Sequence, residues 1–122
     1  MKYFLQLKDI NSTIMNEIFS IADGIEDKGK FLTDKCVVLF FPASSVLTRM
    51  TFEKGIVSAG GQAILFPSDT LDSRRKIEDT VGYLCNWADC IIVRHNSMDI
   101  IEEIAKYSSV PVINAMTDIN HP

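Results

Sequence analysis

The sequence lacks a strong charge of one sign, an even set of cysteines and any long apolar run, and each absence removes a class of function. Twelve Lys and Arg against 16 Asp and Glu leave a net charge of -4, whereas a general nucleic-acid binder needs a basic surface to replace condensed counterions. No nucleic-acid partner is expected. Apolar stretches fall far short of the roughly 20 residues that cross a bilayer, so no membrane partner is expected either. The three cysteines, Cys36, Cys85 and Cys90, have neither the close pairing of a zinc knuckle nor the even count of a disulfide framework, and they read as small core residues at or beside strands. The opening MKYFLQLKDINST is interrupted by Lys2, Lys8 and Asp9 and carries no small-residue cleavage site, which is not the pattern of a signal peptide. The expected location is the cytoplasm.

What is present is an ordinary globular composition, 47% hydrophobic and 23% charged over 122 residues, the size of one domain with a real core. Residues 1–122 are therefore expected to form a single folding unit. Ile14, Ile18, Ile21 and Ile25 recur at helical spacing between Asn11 and about Asp27, with Asn11 or Ser12 as cap. CVVLFF, from Cys36 to Phe41, is a continuous run of strand formers ended by Pro42, as expected for a strand buried on both faces. The alternation then repeats: a helix over Thr48–Ala59 closed by Gly60-Gly61, a strand over Gln62–Phe66, a helix over Arg74–Trp87, a strand over Cys90–Val93, a helix over Met98–Tyr107 and a strand over Val110–Ile113. Helices alternating with strands predict an α/β fold, a four-stranded parallel sheet with helices on both faces. With the first strand central, the second on one side and the other two beyond it, the order reverses between the first and third strands. Open sheets bind ligands beyond the carboxyl ends of strands at such a switch point.

Three polar segments reach that edge. In the first, PASSVLTR, Ser44 and Ser45 offer hydroxyls and the backbone from about Val46 to Arg49 offers the unpaired N–H groups of a helix start, which suit an anion. From this segment alone, Ser45 as a plain helix cap is the favoured reading. In the second, CIIVRHN, Arg94 follows a buried strand, where its guanidinium can point into the crevice or form an ion pair at the sheet edge. Alternation turns His95 away from the face of Arg94. In the third, VINAMTDINHP, His121 can donate to a carbonyl oxygen or move a proton, or be only a tail residue. Arg74, Arg75 and Lys76 form the one compact basic cluster.

Together these segments resemble the aspartate and ornithine carbamoyltransferases, specifically their N-terminal carbamoyl-phosphate-binding domain, over almost the whole chain. The family's strand followed by Ser-Thr-Arg-Thr-Arg, a small hydroxyl residue, Phe and Glu is matched by SVLTRMTFE from Ser45 to Glu53. Its Asp-Thr is matched by Asp79-Thr80, its strand ending in arginine by DCIIVRH, and its Val-Pro-Val-x-Asn strand with a His-Pro loop by VPVINAMTDINHP. The Met-Thr-Asp loop is more similar to the ornithine branch. The resemblance implies that Ser45, Val46, Leu47 and Thr48 lie on the phosphate, that Arg94 and His121 touch the carbamoyl group or its bridge as the catalytic residues, and that no metal or other cofactor is required. It implies carbamoyl phosphate or another small anion as ligand, an amino-acid acceptor held by a second domain, and a homotrimer in which Arg74, Arg75 or Lys76 reaches a neighbour's site in trans.

Two departures qualify these implications. Val46-Leu47 stands where the family has Thr-Arg, and loss of a charge-assisted donor to the leaving phosphate costs on the order of 3 kcal/mol in the transition state. Arg49 stands at the motif's last position, where Glu53 one helical turn away can pair with it. The second domain and the glutamine that follows His-Pro in the family are not in these 122 residues, so the chain by itself is expected to be inactive and to expose apolar surface. The alternative is a transcarbamoylase-fold binding or assembly module without catalysis, or a paralogue with a different donor or acceptor. A receiver-like domain is set aside, because its acidic cluster at the first strand end is replaced by Phe41-Pro42.

Overall fold

The computed structural model describes residues 2–122. Five strands, β1 (Tyr3–Phe4), β2 (Cys36–Phe41), β3 (Gln62–Pro67), β4 (Cys90–Val93) and β5 (Val112–Asn114), form one parallel sheet in the order β1-β5-β4-β2-β3. The central part is the order expected, and β1 adds a fifth strand beyond β5. Two residues carry no periodicity of their own; β1 exists because Tyr3 and Phe4 find Val112 and Ile113 as partners, and the Tyr3 hydroxyl donates to Ser108 O at 3.2 Å.

Four α-helices, α1 (Ser12–Asp23), α2 (Leu47–Ser58), α3 (Ile77–Leu84) and α4 (Met98–Tyr107), complete the fold. Alternation along β2 divides the core. Val38 and Phe40 join Ile77, Val81, Ile101 and Ile104 of α3 and α4 on one face; Val37, Leu39 and Phe41 join Phe52 and Ile56 of α2 on the other. Every residue of β2 after Cys36 is buried, which is why its sequence is an unbroken apolar run.

Helix ends follow local chemistry. The Asn11 side chain accepts the Ile14 N–H at 2.9 Å to cap α1. Helix α2 stops in a Schellman pair, Gly60 N–H to Val57 O and Gly61 N–H to Ile56 O, with Gly60 at φ 88. A Cβ there would also stand 2.8 Å from Lys30 Cβ. Helix α3 starts at Ile77, three residues later than expected. Arg74, Arg75 and Lys76 would place three cations at the positive end of the helix dipole, whereas Glu78 and Asp79 suit its first turn. Helix α1 ends at Asp23 and a 3₁₀ turn, Ile25–Lys28, follows. No residue of α1 is buried, and Phe19, Ile21 and Ile25 are exposed.

Candidate functional site

Parallel pairing sets Phe40 of β2 beside Val93 of β4, so the residue after β4 meets the chain leaving β2. The Arg94 N–H donates to Phe40 O at 2.8 Å. Since Val93 faces α3 and α4, Arg94 turns to the α2 face, where its Nη1 donates to Ser45 Oγ at 3.0 Å. Ser45 is 4% exposed, and its own N–H donates to Pro42 O at 2.9 Å, closing the turn that leaves β2. The cap reading of Ser45 is overturned by this geometry. Val46, with helical backbone angles, holds the cap position of α2, and no side chain bonds the first backbone N–H groups of that helix. Those donors, the Ser45 hydroxyl and the Arg94 charge lie at one strand edge, an arrangement that can hold a small anion.

The rest of the turn is open. Val46 and Leu47 are 69% and 82% exposed, while Thr48 and Arg49 are half-buried. A cavity of about 320 Å³ is lined by Ala43, Ser45, Val46, Arg49, Met50 and Glu53. Arg49 also borders a recess of about 130 Å³ against Phe41 and Leu65–Pro67. Among the described residues the one ion pair between a lysine or arginine and a carboxylate is Lys35–Asp89, so the Arg49–Glu53 pair is not formed and Arg49 keeps its charge free beside the turn.

The other expected residues are not brought to Ser45. Arg74, Arg75 and Lys76 are exposed in the loop between β3 and α3. Arg75 lines a cavity of about 220 Å³ with Phe40, Phe66, Thr80 and Tyr83, on the α3 face of the sheet and away from the α2 turn. His121 is exposed. Its loop is folded on itself by Thr117 N–H to Asn120 O at 2.6 Å, and it is drawn to the end of β4 by Asp118 N–H to Asn96 O at 3.0 Å. Among the described residues no three His, Cys, Asp or Glu side chains cluster as a metal site.

Sequence reasoning missed the role of His95. It faces away from Arg94, as alternation requires, but meets Asp72: Nε2 lies 2.7 Å from Asp72 Oδ1 and Nδ1 accepts the Ser97 N–H at 3.0 Å. Only the spatial neighbourhood of β3 and β4 loops reveals that partner. It also missed Asn114, 3% exposed, whose Nδ2 donates to Leu5 O at 2.9 Å and whose Oδ1 accepts the Met116 N–H at 2.8 Å. Met116 has φ 126, a strained conformation of the kind held at functional sites by over-determined surroundings.

The family described as aspartate/ornithine carbamoyltransferase, carbamoyl-P binding domain, matches residues 2–122. The chain is 34% identical to an ornithine carbamoyltransferase of Geobacter sulfurreducens over 129 aligned residues, covering 99% of this chain and 43% of that protein. Its fold superposes on the anabolic ornithine carbamoyltransferase of Campylobacter jejuni with a TM-score of 0.89 at 32% identity, covering 100% of this chain and 41% of the other. The catalytic subunit of M. jannaschii aspartate transcarbamoylase superposes with a TM-score of 0.84 at 30% identity, covering 95% of this chain and 41% of the other. The chain thus spans less than half the length of these relatives.

Proposed function

Because this chain belongs to the aspartate/ornithine carbamoyltransferase family, as its carbamoyl-phosphate-binding domain, we propose that the α2 turn holds carbamoyl phosphate for transfer of its carbamoyl group to an amino-acid amine. The observation that carries this reading is the buried Ser45 hydroxyl, bonded to Arg94 rather than capping α2. Bonding Ser45 sideways leaves the helix N–H groups free for phosphate oxygens. In this reading Ser45 and Thr48 take phosphate oxygens, and Arg94 bridges phosphate and carbamoyl oxygen. His121 swings with its exposed loop to donate to that oxygen. As the amine attacks the carbamoyl carbon, charge builds on the carbamoyl oxygen and the leaving phosphate, and fixed donors stabilise it without reorganising.

Similarity to ornithine carbamoyltransferases supports an ornithine-like acceptor, bound outside these residues. The exposed apolar face of α1, with Phe19 at 58% exposure, is where we place packing of that acceptor-binding part. In a homotrimer, Arg74, Arg75 or Lys76, all exposed, would reach a neighbour's turn and add positive charge there. A second reading, a module that keeps the fold without the chemistry, is favoured by Val46 and Leu47, which offer no donor side chain at the phosphate position.

Calorimetric titration of the chain with carbamoyl phosphate, and of its Arg94→Ala variant, tests the proposal. Binding by the parent, weakened at least about tenfold in the variant as for loss of a charged hydrogen bond, is expected. Equal binding by both would remove Arg94 from the site, and absence of binding by the parent would favour the second reading.

A further inference from the structure

The segment Arg94–Ser97 ties three parts of the site edge together, and its residues do so in alternate directions. Arg94 bonds Ser45 on the α2 face. The His95 backbone N–H donates to Met116 O at 3.2 Å, and the Asn96 carbonyl accepts from Asp118 N–H at 3.0 Å, both in the loop after β5. The His95 ring crosses to the loop between β3 and α3. Its Nδ1 is occupied as an acceptor by the Ser97 N–H, so the proton of the neutral ring sits on Nε2 and is donated to Asp72 Oδ1. The ring is packed, with a side-chain exposure of 10%, whereas Asp72 at 58% stands at the surface. A buried donor therefore reaches outward and holds an exposed loop, and that loop carries Arg74, Arg75 and Lys76.

We propose that His95 is a positioning residue: through Asp72 it fixes the 68–76 loop to the strand end that carries Arg94, so that the loop's cations and the Ser45–Arg94 contact share one frame. This inference rests on the reading of the α2 turn as the anion site for its effect on binding, but not for its effect on the loop. The anchors of the loop itself lie at its start: Ser68–Asp72 is a 3₁₀ turn with Ser68 and Leu71 buried, and the Thr70 hydroxyl donates to Pro67 O at 2.6 Å. At its end Ser73 N–H reaches Thr70 O at 3.4 Å, a long bond. Beyond Ser73, the three cations precede α3 without a side-chain cap. Asp72 lies between the buried Leu71 and that open stretch, where one strong hydrogen bond has the largest effect on order.

The test uses Asp72→Ala, Asp72→Asn and His95→Phe in the full chain, followed by amide hydrogen exchange without ligand and by carbamoyl phosphate titration. Asp72 is exposed, so its variants keep the fold, and Asn retains an oxygen that accepts from Nε2–H. Asp72→Ala and His95→Phe should each speed exchange at residues 68–76 by about fivefold or more and weaken carbamoyl phosphate by a similar factor, the usual effect of one net hydrogen bond. The double variant should be no worse than the weaker single one. Asp72→Asn should restore both readouts to within about twofold, a rescue that general destabilisation would not give. Faster exchange in a protein that binds no carbamoyl phosphate would support the strut and overturn the proposed ligand. Unchanged exchange in Asp72→Ala would overturn the strut, whatever happens to binding.

Discussion

Leu47→Arg is the most informative perturbation, because its effects on folding and on binding separate cleanly. Leu47 is the first residue of α2 and is 82% exposed, so its replacement opens no cavity. A cation at the positive end of a helix costs about 0.3–1 kcal/mol, which lowers the melting temperature by only a few degrees for a chain of this size. The gain falls on the ligand. A charge-assisted hydrogen bond to phosphate contributes about 1.5–3 kcal/mol net, equivalent to a dissociation constant lowered about 10- to 150-fold. Calorimetry with carbamoyl phosphate and with inorganic phosphate reads this directly. Both ligands should gain by a similar factor, since the added guanidinium addresses the phosphate that they share. The gain should shrink with added salt, because the turn is open to solvent and its charges are screened. An unchanged dissociation constant for both ligands, in a variant that melts normally, would refute the placement of phosphate at the start of α2.

Three further outcomes follow from the fold. Asn114→Ala leaves Leu5 O and the Met116 N–H without their side-chain partner; loss of two part-buried hydrogen bonds should destabilise the chain by about 1–3 kcal/mol in urea titration, and a loss under about 0.5 kcal/mol, the range of neutral surface changes, would contradict the role given to this residue. In thiol alkylation near pH 8, Cys85 should react before Cys90. Burial pushes the Cys85 thiol up, but hydrogen bonds from Ser108, Ser109 and Val110 outweigh it and leave the pKa lowered, whereas burial pushes Cys90 up to about 11 and thiolate fraction sets the rate; equal rates in the folded chain would overturn this order. The raised Cys90 pKa also stabilises the fold below pH 9, its ordinary value being 9.0, and that contribution is lost as pH rises towards about 11. A Cys90→Ala variant should therefore lose less stability than the parent between those two pH values, and parallel stability curves would remove the thiol from the account.

The parts of this fold legible in the sequence are those fixed by local pattern. Cys36–Phe41 and Cys90–Val93 occupy the predicted residues because an unbroken apolar run between polar ends has one comfortable place, the middle of a covered parallel sheet. Met98–Tyr107 likewise matches its predicted span. Features set by partners distant in the chain were not legible: Tyr3 and Phe4 are a strand only because β5 is beside them, and the His95–Asp72 contact depends on loops 23 residues apart. Arg94 and Ser45, 49 residues apart, lie between these cases. Their separate roles remained ambiguous in sequence, yet the predicted order of β2 beside β4 already required their two strand ends to meet. Structure resolves the ambiguity by giving the Ser45 hydroxyl a partner other than the helix. It also changes the meaning of Leu47. In sequence, Leu47 marks only the loss of the family's arginine, whereas the structure places its side chain almost wholly in water. Burial thus gives no reason for an apolar side chain at this position, and exposure of its apolar surface is unfavourable. Two roles for the turn, a phosphate site or a docking surface for a second protein, are distinguished by the two titrations of Leu47→Arg: a surface that only docks a partner gains no phosphate, whereas a donor site missing one cation gains it at once.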